Sequence, residues 1–163
     1  MALLLALAFV PVRAQAPDTQ IKAAFLLNFA KYTEWPPASF ATPDAPLKLC
    51  ILGRDPFGEA LRPAKLGARP VSIERGVPED ALKGCHIVYI VESEDRRLQR
   101  IFALLRGKPV LTVSDIDGFT EAGGMIGLVI ADERVRFEIN LAAASASQLR
   151  LSSQLLRLAR SVR

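Results

Sequence analysis

Three short, almost unbroken apolar runs constrain this chain most: LKLCILG at 47–53, CHIVYIV at 85–91 and PVLTV at 109–113. Runs of this length between turn signals fit strands buried on both faces, and such strands belong to parallel sheets covered by helices. The segments between them supply the helices. Leu98, Ile101, Phe102 and Leu105 recur at helical spacing, with Gly107 just past the end. Residues 78–83 read as a shorter helix closed by Gly84, and Asp55-Pro56 has the form of a helix start, with an acidic cap followed by proline. VSIE at 71–74 alternates apolar and polar residues and is expected at a sheet edge.

After Asp115 the pattern changes. DIDGFTEAGG reads as a loop with one helical turn, and 125–130 and 135–139 as strands joined by the polar turn ADER. A short helix is expected over 141–149, and Ser152 is placed to cap a last one over 153–160. The predicted fold is α/β: a three-layer sandwich with a mostly parallel sheet and a C-terminal antiparallel hairpin, flavodoxin-like in plan.

The stretch IKAAFLLNFAKYTEWPP is apolar almost all round. Ile21, Ala24, Phe25, Asn28 and Phe29 mark one helical face, widened by Leu26 and Leu27, and Asp18 or Thr19 can cap the start. Lys22, Asn28 and Lys31 interrupt the surface, so it is not a membrane span, and Pro36 forces Trp35 out of helical geometry. The reading is a core helix over 21–32. Upstream, ALLLALAFV at 2–10 is too short to cross a bilayer and fits the apolar core of a signal peptide. Cleavage is expected after Ala14, the competing site after Ala16 being disfavoured by Pro17, so 1–14 is a signal peptide and 15–163 a single periplasmic domain. In that compartment Cys50 and Cys85 point to a disulfide, the alternative being two buried thiols.

The formal charge of +4 comes from scattered Lys and Arg, which does not favour nucleic acid. GRDPFG at 53–58 lacks the spacing of a dinucleotide fingerprint or P-loop. His86 is the lone histidine. It cannot face Cys85 from a neighbouring strand position, and no second histidine exists to activate a serine. No catalytic residues, metal site or cofactor emerge, and the chain reads as a non-enzyme. The hairpin offers more. Val135, Phe137 and Ile139 point one way, and Arg134, Arg136, Glu138 and Asn140 the other, giving a strand with a charged face.

The segments KAAFLLNFAKYTEWP, CILGRDPFG, CHIVYI, RGKPVLTVSD, GFTEAGGMIGLVI, RVRFEINLAA and LRLSSQLLRLAR, in this order, resemble the YfiR-like family over residues 21–159. The resemblance implies a periplasmic α/β protein that represses an inner-membrane diguanylate cyclase. It would bind the periplasmic sensor domain of that enzyme and so lower cyclic-di-GMP and biofilm formation. It also implies a homodimer. Cys50 and Cys85 match a family cysteine pair, whereas a second pair carried by some members is absent from 120–127. Family contact positions map onto 124–126 and the FEIN strand, which implies partner-binding roles for Glu138, Arg136, Asn140 and Ile126. The alternative reading is a periplasmic small-ligand sensor, or an accessory protein for a sensor kinase or outer-membrane receptor.

Overall fold

The computed structural model describes residues 16–163, so the expected signal peptide over 1–14 lies outside the described residues. In chain order the elements begin with α1 (Ala16–Lys31), β1 (Thr33–Glu34) and β2 (Leu47–Leu52). A hairpin of β3 (Ala64–Leu66) and β4 (Arg69–Arg75) follows, then β5 (Ile87–Ile90), α2 (Leu98–Leu105) and β6 (Leu111–Ser114). The last third holds β7 (Ile126–Ala131), β8 (Arg134–Ile139), α3 (Leu141–Ala146), β9 (Arg150–Leu151), α4 (Ser153–Leu158) and β10 (Ser161–Val162).

Eight strands form one sheet in the order β10-β8-β7-β6-β5-β2-β4-β3. The five central strands, β7-β6-β5-β2-β4, are mutually parallel. Numbered by their own chain order they run 2-1-3-4-5, the flavodoxin-like sequence of strands. β8 turns back antiparallel to β7, giving the expected hairpin. The sheet is covered on both faces. Leu49, Ile51, Ile87, Tyr89, Leu111 and Val113 pack with Leu26 and Phe29 of α1, Ala144 of α3 and Leu155 of α4. Cys50, Leu52, Val88 and Ile90 pack with Leu82 and with Leu98, Ile101 and Leu105 of α2. The alternation along each strand therefore feeds two separate cores, as a three-layer sandwich requires.

Several expectations need correction. The Asp55-Pro56 helix shrinks to a single 3-10 turn, Gly58–Ala60, whose N-cap is Phe57 without a side-chain bond; Asp55 instead closes a turn of its own, accepting from Phe57 N and Gly58 N at 2.9 and 3.1 Å. The 78–83 helix is also 3-10, Glu79–Gly84. VSIE is not an edge, because β4 runs from Arg69 to Arg75 and is flanked on its outer side by β3. The two-residue turn between them has Gly67 at φ +61°, a conformation that glycine accepts without strain.

α1 begins at Ala16, which places Asp18 and Thr19 inside the helix rather than at its cap. Its buried stripe is Ala23, Leu26, Phe29 and Ala30, while Ile21, Ala24 and Asn28 are exposed. A segment apolar nearly all round carries little phase information, so the tertiary contact chose the face. Phe29 meets Phe137 of β8 edge-on at 5.1 Å, and Phe25 meets it at 5.4 Å. The last helices end earlier than expected, α3 at Ala146 and α4 at Leu158. The predicted cap holds: Ser152 Oγ accepts from Leu155 N at 3.1 Å.

Candidate partner surface and its supports

β7 and β8 meet at a two-residue turn, Asp132-Glu133, with both residues at positive φ (52° and 59°). This is the backbone that a tight hairpin needs. From the turn, Arg134 and Arg136 project to solvent, and Glu138 follows on the same side with its side chain 17% exposed. Val135, Phe137 and Ile139 are buried on the other side. Glu138 Oε1 accepts from Arg160 Nη1 at 3.2 Å, and Arg160 N donates to Phe137 O at 2.8 Å. One arginine thus ties the end of the chain to β8 by both backbone and side chain.

Of the four residues named as partner contacts, Ile126, Arg136 and Glu138 fall in this hairpin and Asn140 directly follows it, and they sit in different environments. Arg136 is exposed opposite Val129, and Glu138 is partly buried opposite Gly127. Asn140 is committed inside the protein. Its Oδ1 accepts from Ala143 N at 3.0 Å, capping α3, while its Nδ2 donates to Thr120 O at 3.1 Å. Ile126 is fully buried, paired with Ile139. The surface thus offers Arg134, Arg136 and the outer oxygen of Glu138, with Asn140 and Ile126 as supports beneath.

The loop that approaches this strand is held tightly. Phe119 is buried, and a Cβ added to Gly124 would lie 2.2 Å from the Phe119 ring, so only glycine fits there. Met125 N donates to Thr112 Oγ1, and Arg163 pairs with Glu121, joining the loop to the C-terminus.

β10 pairs only with Glu138 and Ile139, so the outer edge of β8 from Arg134 to Arg136 has no strand partner among the described residues. Apolar side chains stand beside it, with Ile130 57% and Leu158 62% exposed. Cavities of about 400 Å³ and 200 Å³ flank the strand, the first reached by Arg136, Arg157 and Arg160, the second by Phe25, Arg134 and Leu158. An open strand edge rimmed by guanidinium groups and isolated apolar side chains can pair with an acidic or mixed segment of another protein.

Elsewhere the titratable groups are occupied structurally. Cys50 and Cys85 are joined in a disulfide with Cα atoms 6.1 Å apart, linking β2 to the start of β5. His86 accepts from Lys48 N at its Nδ1 and faces Ser39 O with its Nε2, both at 3.0 Å. A carbonyl only accepts, so the ring is neutral with its proton on Nε2. Burial is the main cause holding its pKa below the ordinary 6.5, with Arg69 and Lys48 adding to it against the Ser39 bond. Near the carboxyl ends of β5 and β6, Glu92, Asp95, Asp115 and Asp117 line an open cleft, and Lys22 Nζ pairs with Asp115 at 2.7 Å. Burial foremost, with the Asp115 charge next, raises the Tyr89 phenol above its usual range. Among the described residues no group of three or more His, Cys, Asp or Glu side chains is arranged to hold a metal, and no helix is long and apolar enough to cross a membrane.

Sequence reasoning missed β10, which covers the last two residues of the β8 edge, and the β1–β9 ribbon, in which Thr33 pairs with Leu151. Two-residue strands carry no periodicity to read. It also missed a cavity at the amino end of β2, between Trp35 and Arg69, because Trp35-Pro36 was read only as a helix stop. A family model described as YfiR/HmsC-like matches residues 19–160.

Proposed function

The chain belongs to the YfiR/HmsC-like family, and from that membership we infer that it is a periplasmic regulator of a diguanylate cyclase and not itself an enzyme. In this reading residues 1–14 are removed on export and 15–163 act as one regulatory domain. The domain, as a homodimer, binds the periplasmic sensor domain of an inner-membrane cyclase and represses it, so that cyclic-di-GMP and biofilm formation fall. Repression requires only that the regulator bind the inactive form of the sensor domain more tightly than the active form.

The observation that carries the docking site is the open stretch of β8, Arg134 to Arg136, beside the charged pair Glu138–Arg160. A strand edge supplies main-chain affinity and the side chains supply choice of partner. Charges at the rim govern the encounter rate and its salt dependence. Asn140 and Ile126 serve from beneath, by fixing the strand and its loop.

The test is calorimetric binding of the purified protein to the isolated periplasmic domain of an inner-membrane cyclase from the same cell. Arg134→Glu with Arg136→Glu is expected to weaken binding at least about tenfold and to reduce its salt dependence. Equal affinity for wild type and the double variant overturns this docking site, and no binding to any such domain overturns the regulator reading.

A further inference from the structure

We propose that the cavity at the amino end of the sheet is a binding site for a small organic anion with a flat apolar body. It lies between the end of α1, β1, the start of β2 and the β3–β4 turn. This is the β3 edge of the sheet, opposite the edge that carries β8 and β10. Its volume is about 480 Å³, within the usual range for small-molecule sites.

Two observations define the ligand. The first is charge. Lys31, Lys65 and Arg69 line the cavity, and none of them is ion-paired with a carboxylate among the described residues. The one acidic side chain at the rim, Glu34, stands 3.9 Å from Arg150. Arg69 is held in place: its guanidinium lies 3.8 Å from the centre of the Phe40 ring and donates one bond, to Ala45 O. Its remaining donors make no other hydrogen bond among the described residues, and their planar geometry suits a carboxylate.

The second observation is shape. Trp35 is fixed by a bond from its Nε1 to His86 O at 3.1 Å, which presents the indole as a wall. Phe40 is clamped between the His86 ring, at 4.4 Å, and Arg69, so both its faces are taken and it serves to hold Arg69 in place. The fixed indole, with Ala30, Leu47 and Leu66 also lining the cavity, favours a flat apolar body over a hydrated ion.

The inference does not rest on the cyclase reading, and its test uses the purified protein alone. Binding of 2-naphthoate, 2-naphthamide and inorganic phosphate is measured by calorimetry. The naphthoate is expected to bind, with the amide and the phosphate each at least about tenfold weaker. Arg69→Gln should weaken naphthoate at least about tenfold and abolish its advantage over the amide. Because Arg69 also covers Phe40, the exposed Lys65→Gln is the companion variant: severalfold weaker binding at an unchanged melting temperature. Naphthoate and naphthamide of equal affinity, phosphate as strong as naphthoate, no naphthoate binding, or affinity indifferent to both substitutions would overturn the proposal.

Discussion

Cys50, in the middle of β2, is bonded to Cys85, the residue that leads into β5, across two adjacent parallel strands. The bond lies in the core that packs against α2, with Cys50 fully buried. It closes a loop of 35 residues, which in the chain-entropy view stabilises the fold by roughly 3–4 kcal/mol. Cys50→Ala with Cys85→Ala is expected to lower the melting temperature by about 10 °C. Scanning calorimetry with and without reductant checks this, and the double variant should no longer respond to reductant. An unchanged melting temperature contradicts a stabilising role.

Gly124→Ala should destabilise through one contact, because the new Cβ enters the Phe119 ring. Overpacking a buried ring costs about 1–3 kcal/mol. Phe119→Leu, which vacates part of that space, should make the glycine substitution cheaper than it is in wild type. A double-mutant cycle by urea denaturation measures this coupling, and strict additivity would show that the contact is relieved elsewhere.

Glu133→Gly should stabilise the protein by about 0.5–1 kcal/mol, because a glutamate held at φ 59° is strained where glycine is not. The same substitution at Asp132, at φ 52°, should gain less, since Asp tolerates this region better. Chemical denaturation of the two variants ranks them. A loss in both would mean that the turn is held by something other than its backbone.

His86 gives a signed pH dependence. Its folded pKa is depressed by burial below the ordinary 6.5, so between the two values the unfolded chain binds the proton and the folded chain does not. The contribution is therefore complete above about pH 6.5 and is lost as pH falls toward the folded value. Protonating Nδ1 would also break the bond from Lys48 N. Stability measured against pH for wild type and His86→Gln should diverge below that point, with wild type falling more steeply. Parallel curves would mean that the imidazole titrates alike in both states.

The parallel core was legible because β2, β5 and β6 are near-continuous apolar runs, which few other structures can bury. The hairpin was legible because Val135, Phe137 and Ile139 alternate with charged residues. The face of α1 was not legible: Ile21, Phe25, Leu26 and Phe29 satisfy several helical stripes equally, and Phe137 decided among them. Asp55-Pro56 announced a capped helix that is not there, because an acidic side chain can bond the next backbone N–H groups, here Phe57 N and Gly58 N, in a turn without a helix to follow. At the surface, Arg136 and Glu138 could be placed by parity alone. The burial of Ile126 and the double engagement of Asn140 depend on neighbours far away in sequence, Ile139 and Thr120.

The measurement that bears most directly on the account is cyclic-di-GMP in cells lacking this gene, complemented by wild type, Glu138→Lys or Arg136→Glu. Melting curves of both variants establish that they fold. Deletion is expected to raise cyclic-di-GMP, wild type to restore it, and the two folded variants to fail. An unchanged level on deletion would contradict the repressor reading. Full restoration by both variants would leave repression standing but move the partner away from β8.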